Sequence, residues 1–333
     1  MAGEVNPRSS RRTDYRRLVR LPYPFNSPWV HHAMDRILPA WFAVLGVPHL
    51  IALVTSGSFG IDARIYVGAA RAWLQGDDPW STSVMSATGP LHFAAPPPNL
   101  VPIVPLAMLP DPFGEAVLVA GSVLAGVYLI RRLKLPWWWI LFPPLLEGMQ
   151  SGNPQVILTA LLLAGGRFAM LAPTLKVYAA VPLILLGRWR EAAGAIVVLD
   201  VAAVLSISLW PGYIAEFGTI AARLELESAG GLSAWAWLPL VPFTAAALVI
   251  LFLLDREKAA WLAVPGLWPS SELHYSTFAM PVVRGGAAAW VFAIPVVPYP
   301  ALGVILVAVL AVTRPPTKVL RNDPRESAGA KSR

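Results

Sequence analysis

The chain has 333 residues, of which 56% are hydrophobic and 14% are charged, and its formal net charge is +7. Soluble domains carry roughly 25% charged residues, so this composition favours a membrane protein built from several apolar helices. Cysteine is absent, which excludes disulfide and thiolate chemistry. The positive charge is concentrated in residues 1–36 and 314–333. The positive-inside rule makes both segments cytoplasmic tails in a cell membrane, an interpretation favoured over nucleic-acid binding.

The first predicted transmembrane helix covers residues 37–56 and follows several arginines, so it leads to the external side. Residues 57–113 then form a long external loop. Within it, residues 63–74 predict a short interfacial helix, and Gly76 to Trp80 form a turn signal. The prolines 96–98 predict extended backbone. A loop of this length without regular structure is usually functional.

Later apolar runs predict an all-α bundle of about ten crossings within residues 37–313. The expected elements are helices at about 115–130, 156–165, 192–210, 234–254, 259–267, 277–283, 287–297 and 301–312, with a helix that begins at 137 and breaks at 143–144. An external loop is expected at 211–233. The run 171–187 lies between two basic clusters, so either it is re-entrant or a neighbouring assignment is wrong.

Ionisable side chains beside apolar runs are costly to place there and are therefore functional candidates. Asp62, just past the first predicted helix, could serve a reaction on a lipid-borne substrate, or it could cap the helix that starts near residue 63. Lys176 could bind a lipid phosphate, or it could extend its amine to the membrane interface. Asp77 and Asp78 precede a proline and are interpreted mainly as turn formers that could pair with Arg71.

Other polar residues leave two interpretations open. Glu147, Asn153 and Gln155 lie where two apolar runs are interrupted, and such side chains serve sugar binding and helix capping equally well. His274 stands alone in a short external loop, where a histidine is more often structural than catalytic. The sequence contains no glycine-rich phosphate loop and no metal-ligand spacing, and it has no room for a nucleotide-binding domain. A sugar donor, if one is used, should therefore be carried by the membrane.

The order of features along residues 37–285 resembles the polytopic GT-C glycosyltransferases, in particular the bacterial polyprenyl-phosphate-mannose-dependent mannosyltransferases of glycosyltransferase family 87. The similar features are Asp62 with Tyr66, Ala69-Ala70, the turn Gly76, Asp78, Pro79 and Trp80, the prolines 96–98 followed by PLAMLP, the segment GNPQ at 152–155, Lys176-Val177-Tyr178 with Pro182, and Ser271 with His274.

The resemblance implies inverting transfer of a sugar, mannose above all, from a polyprenyl-phosphate donor to a lipid or glycolipid acceptor on the external face. Asp62 would be the general base. The candidates for binding the donor phosphate are Lys176, His274, Arg64 and Arg71. The candidates for binding the substrate elsewhere are Tyr66, Asn153, Gln155 and Glu147. No cofactor and no metal are expected.

Two other functions remain open from the sequence. A transporter or flippase of a lipid-linked substrate would also use broken helices and an intramembrane lysine. Transporters often contain internal repeats, and none is detected in this sequence, which counts against that function. The third candidate is an inactive scaffold that retains the fold.

Overall fold

A computed structural model describes residues 28–313, apart from residues 87–88, 229–230, 270 and 297. Most of the predicted tails at 1–36 and 314–333 therefore lie outside the described residues. The first helix begins at Pro28, so residues 28–36 are helical and do not belong to an irregular tail.

The described part of the chain is mostly helical, which agrees with the predicted all-α class. Its helices are α1 Pro28–Thr55, α2 Ile61–Gln75, α3 Val104–Ala107, α4 Phe113–Arg132, α5 Pro143–Ser151, α6 Pro154–Ala164, α7 Gly166–Leu175, α8 Ala180–Leu185, α9 Trp189–Leu205, α10 Trp210–Ser228, α11 Leu240–Leu254, α12 Arg256–Leu267, α13 Gly286–Phe292 and α14 Tyr299–Thr313. Short 3₁₀ segments lie at Pro97–Asn99, Val101–Ile103, Trp137–Leu141, Val177–Ala179, Ile207–Leu209, Ala234–Ala236 and Leu273–Ala279.

The predicted external loop contains an antiparallel hairpin that the sequence analysis did not predict. Strand β1 (Ser83–Ser86) pairs with β2 (Gly89–His92), and Val84 lies opposite Leu91. Both side chains pack against the buried core. The prolines 96–98 were expected to be extended, and Pro96 is, but Pro97–Asn99 forms a 3₁₀ turn. The proline φ angle near −65° fits a helical turn as well as an extended chain.

Helix α4 is the clearest candidate for a membrane span. Its 20 residues are mostly apolar and extend over about 30 Å, the thickness of a bilayer core. Glu115 lies in its first turn and Arg131 and Arg132 in its last, in agreement with the helix dipole. Within the described ranges no other single helix is both long and apolar enough to cross a membrane.

The prediction of about ten crossings is therefore not confirmed. The helical segments Trp189–Leu205 and Ile207–Leu224 meet that criterion only as a pair, and they are bent by 67°. Shorter apolar helices are Pro154–Ala164, Leu240–Leu254 and Tyr299–Thr313. A 15-residue helix extends only about 22 Å, so length and composition alone leave one or two spans among the described residues.

Two further expectations are wrong in detail. The loop expected at 211–233 is largely helix α10, because Tyr213, Phe217 and Ile220 recur at helical spacing among its charged residues. The run 277–283 was expected to cross the membrane. It instead continues the buried 3₁₀ segment Leu273–Ala279, which packs against α5.

The buried side chains form two main groups. The first surrounds helix α2 and includes Tyr66, Trp80 and Phe93. The second contains Phe42 of α1 and Leu145 of α5. Most of the buried apolar residues of the candidate site belong to the first group.

Candidate active site

A cavity of about 680 Å³ lies at the first turn of α2, beside α5 and the segment that follows α12. Cavities of this size hold small ligands. The polar side chains that line it include His49, Asp62, Tyr66, His92, Asn99, Glu147, Asn153, Lys176, Tyr178, Ser271, Glu272 and Tyr275. The apolar lining includes Leu91, Phe93, Pro96, Val177, Trp268, Leu273 and Pro295.

Asp62 projects into this cavity from the first turn of α2. The helix starts at Ile61 and its N-cap is Gly60, so Asp62 is not the cap that one interpretation of the sequence suggested. Gly60 has the left-handed φ of 69° that glycine adopts without strain. Its N–H donates to the carbonyl of Gln150 at 2.8 Å, which ties the start of α2 to α5.

Asn153 connects the carboxylate of Asp62 to the start of α6. Its Nδ2 donates to Asp62 Oδ2 at 3.0 Å, while its Oδ1 accepts from the backbone N–H of Gln155 at 2.9 Å as the N-cap of α6. The sequence left sugar binding and helix capping open for this residue. In the structure Asn153 caps the helix and also orients Asp62.

Close packing of helices at Gly152 brings the Asn153 side chain and the Asp62 carboxylate together. Gly152 ends α5 with φ 71°, and a Cβ there would lie 2.8 Å from Cβ of Ala63 and 2.9 Å from Cγ2 of Val119. Only glycine allows α2 and α4 to pack this closely against the end of α5. The GNPQ segment therefore places Asn153 beside Asp62 because of its backbone as well as its side chains.

Lys176 lies in the break between α7 and the 3₁₀ turn Val177–Ala179. The ambiguous run 171–187 is therefore an interrupted helix. The Lys176 Nζ lies 4.8 Å from the ring centroid of Tyr275 and 5.8 Å from that of Tyr178. It interacts electrostatically with Asp62 and Glu272. Lys176 is the one lysine or arginine among the described residues that line the cavity.

Glu147 of α5 and Glu272 lie on either side of His274. The Nδ1 of His274 is 3.5 Å from Glu272 Oε2 and 3.9 Å from Glu147 Oε1. Burial lowers the pKa of His274 to about 4, so its imidazole is neutral at physiological pH. His274 does not line the cavity, and a neutral imidazole does not supply the charge expected of a phosphate ligand.

Tyr66 and Gln155 have different positions relative to the cavity. Tyr66 lines it, with its ring edge-to-face against Phe93 at 5.3 Å. Gln155 is fully buried behind the lining, where its Oε1 accepts from the hydroxyl of Tyr178 at 2.6 Å. Its Nε2 lies 3.3 Å from Thr159 Oγ1. Gln155 therefore holds a cavity residue in place and does not face the cavity.

Arg64 and Arg71 lie outside the cavity. Arg64 Nη2 donates to the carbonyl of Gly57 at 2.8 Å. Arg71 pairs with Asp111, not with Asp77 or Asp78, and donates to the carbonyl of Leu109 at 3.2 Å. Successive helical residues turn by about 100°, so positions two and nine after Asp62 lie on the opposite face of α2. Tyr66, four residues on, shares the face of Asp62.

The structure adds residues that the sequence analysis did not assign to the site. Tyr275 and Asn99 line the cavity, and so do His49 of α1 and Glu272. His49 could have been noticed as a polar residue within an apolar run. The interpretation of Asp78 as a turn former agrees with its side-chain oxygen accepting from the N–H of Trp80 at 3.1 Å.

The site combines three chemical properties. It has a carboxylate with a fixed hydrogen-bond donor, a single primary amine among tyrosine rings, and an apolar wall. Among the described residues, no group of three or more His, Asp or Glu side chains is arranged to hold a metal ion. No protein-family model, curated protein or solved structure matches the chain.

Proposed function

We propose that this chain is a membrane glycosyltransferase that moves a sugar, mannose first among the candidates, from a polyprenyl-phosphate donor to a lipid or glycolipid acceptor. The observation that carries the proposal is the presence of Asp62 and Lys176 in one cavity with an apolar wall. A base and a cation are the two groups that displacement of a phosphate by a hydroxyl requires.

In the proposed reaction Asp62 takes the proton of an acceptor hydroxyl as that oxygen attacks C1 of the donor sugar. The bond between C1 and the phosphate oxygen breaks, and the prenyl phosphate leaves with the bonding electron pair. Lys176 neutralises the charge that develops on this phosphate. Attack from the side opposite the leaving group inverts the configuration at C1. Asn153 keeps the Asp62 carboxylate directed into the cavity.

The apolar lining supports a lipid-linked donor. Phe93, Trp268 and Leu273 contribute apolar surface to the same cavity that holds Asp62. A prenyl chain would bury its hydrocarbon against such a wall. A free nucleotide sugar would gain little from it.

The outer surface supports a membrane location. Large apolar side chains are exposed on several helices, among them Val44 of α1, Leu124 of α4, Val204 of α9 and Leu253 of α11. Apolar surface repeated over several helices is typical of contact with lipid or with a partner. We assign it to lipid, with the termini on the cytoplasmic side and the cavity toward the external side by the positive-inside rule.

The test is transfer of radiolabelled mannose from polyprenyl-phosphate mannose to endogenous lipid in membranes that contain the protein. Asp62→Asn should lower the rate by a factor of about 100 or more, since it removes the general base. Asp77→Asn is the matched control, because Asp77 belongs to the same external segment but lies outside the cavity. Full activity in the Asp62 variant would disprove its role as the base.

A transporter or flippase is the second candidate, favoured by the 67° bend between the two helical segments that follow Trp189. It predicts movement of a lipid-linked sugar between leaflets without release of prenyl phosphate. Reconstituted vesicles with donor on one side would separate the two functions. Translocation that is insensitive to Asp62→Asn, without transfer, would favour the transporter.

A further inference from the structure

One end of the cavity contains Glu147 and Glu272, which both approach Nδ1 of His274, and Ser271, which precedes Glu272 in the chain. Both carboxylates and the serine line the cavity. The Glu272 side chain is 45% exposed, which gives this end access to solvent. Helix α5 and the segment after α12 meet closely here, because a Cβ on Gly148 would lie 3.3 Å from Cβ of His274.

Several buried polar atoms at this end have no hydrogen-bond partner. Ser271 is 1% exposed and its Oγ is unpartnered, as are Glu147 Oε2 and the Nε2 of His49. Buried polar groups are normally paired, so a cluster of unpaired ones calls for an explanation. Ser271 and His49 line the cavity, and a ligand held there could supply the missing partners.

The charges define the chemistry of that ligand. Among the described residues, the carboxyl groups of Asp62, Glu147 and Glu272 line the cavity together with one lysine. An anionic group is therefore favoured only near Lys176. At the Glu147 end a ligand must donate hydrogen bonds to carboxylate oxygens, and it can use the Ser271 hydroxyl fully only if it can both donate to it and accept from it. An ammonium group can only donate, whereas a hydroxyl can do both.

We infer that Glu147, Ser271 and Glu272 form a subsite for the hydroxyl groups of the sugar carried by the donor. This inference rests on the proposed function and deepens it, since it names which part of the donor is recognised apart from its phosphate. His274 is a positioning residue, because its Nδ1 lies within 4 Å of both carboxylates while its ring is fully buried. A neutral imidazole can donate one hydrogen bond, so Nδ1 is placed to hold whichever of the two carboxylates it bonds when the ligand is present.

The experiment measures direct binding to the full chain in lipid nanodiscs with two probes, farnesyl phosphate and its mannosyl ester. Wild-type protein should bind the ester more tightly. Glu147→Gln, Ser271→Ala and Glu272→Gln should each weaken binding of the ester by about tenfold, as expected for loss of a hydrogen bond at a charged or buried group. Binding of farnesyl phosphate should change by less than about twofold.

The controls separate recognition of the sugar from folding and from phosphate binding. Glu257→Gln in α12 changes a glutamate outside the cavity and should leave both affinities unchanged. Lys176→Met should weaken both probes. His274→Asn keeps a donor near the Nδ1 position and should retain more discrimination between the probes than His274→Leu.

The inference is overturned if wild-type protein binds the two probes equally. It is also overturned if the three variants lose both probes alike, because that indicates damage to the fold or to the phosphate site. Discrimination without any sugar transfer would retain the subsite and reject the proposed function. Transfer that depends on Asp62 but not on Glu147, Ser271 or Glu272 would retain the proposed function and reject the subsite.

Discussion

The hydrogen bond between Asn153 and Asp62 allows the proposed mechanism to be tested without removing the base itself. Asn153 has two roles: it caps α6 through Oδ1 and it donates to Asp62 through Nδ2 at 3.0 Å. Asn153→Asp retains a good cap but replaces the donor by a second carboxylate oxygen. Hydrogen bonds to charged groups contribute about 1.5–3 kcal/mol, so we expect the transfer rate to fall roughly ten- to hundredfold.

The pH dependence should identify the cause of that loss. Two carboxylates about 3 Å apart repel each other, so one of them holds its proton to higher pH than an isolated carboxylate does. We therefore expect the acid limb of the pH–rate profile to move to higher pH in Asn153→Asp. Asn153→Ser keeps a capping oxygen but has no amide donor, so it should lower the rate and move the acid limb to higher pH by less than Asn153→Asp, because it removes a hydrogen bond to the carboxylate without adding a second charge.

The assay is mannose transfer in reconstituted vesicles between about pH 5 and 9, with thermal unfolding measured on the same preparations. Both variants should unfold within a few degrees of wild type, because the cap of α6 is retained. Activity equal to wild type in both variants would refute the role of Asn153, provided that Asp62→Asn is inactive. A parallel loss of stability and activity would assign the effect to folding.

Three further predictions follow from single contacts. Gly152→Ala should destabilise the fold by about 2–4 kcal/mol, because the added Cβ clashes with its neighbours and φ is 71°. The control is Gly57→Ala, which has the same φ but no atom within 4 Å of the added Cβ. Chemical unfolding should show a loss of stability of only about 1 kcal/mol for this control. Burial lowers the pKa of His274 from 6.5 to about 4, so the unfolded chain takes up a proton at this residue before the folded chain does. The free energy of unfolding should therefore fall by roughly 3 kcal/mol as the pH drops from above 6.5 to 4. His274→Gln should lack that component, and equal pH dependence in the two proteins would contradict it. Lys176→Arg keeps the charge and should retain more donor affinity than Lys176→Met, measured as KM for the prenyl-phosphate sugar; equal KM values would exclude a charge interaction with the phosphate.

Helices with strong local signals could be predicted from the sequence, and elements that depend on distant contacts could not. The helix expected at 63–74 is Ile61–Gln75, because an amphipathic run ends at Gly76, a residue that adopts the left-handed helix cap. The β1–β2 hairpin has four-residue strands that carry little pattern of their own. Its pairing depends on Val84 and Leu91 packing against the core, which sequence periodicity does not reveal.

The residues of the site could be predicted only in part. Asp62 follows an apolar run and Lys176 interrupts one, so local sequence indicated both, whereas Tyr66 was a candidate only through the family resemblance. Arg64 and Arg71 were included for their charge, although helical geometry places them on the opposite face. Charge also made His274 a phosphate candidate. Its burial, which makes it neutral, follows from the packing of the segment Leu273–Ala279 against α5.

The position of Asp62 depends on two glycines that let three helices meet. Gly60 donates its N–H to Gln150 of α5, and Gly152 leaves the space that Ala63 of α2 occupies. Because of both contacts, Asp62 lies in the first turn of α2 and beside Asn153 at the start of α6. The N-terminal ends of helices carry partial positive charge, and Asp62 lies in the first turn of one helix and accepts a hydrogen bond from the N-cap residue of another. A carboxylate that served only to stabilise the start of α2 would need neither the hydrogen bond from Asn153 at the start of α6 nor a cavity in front of it.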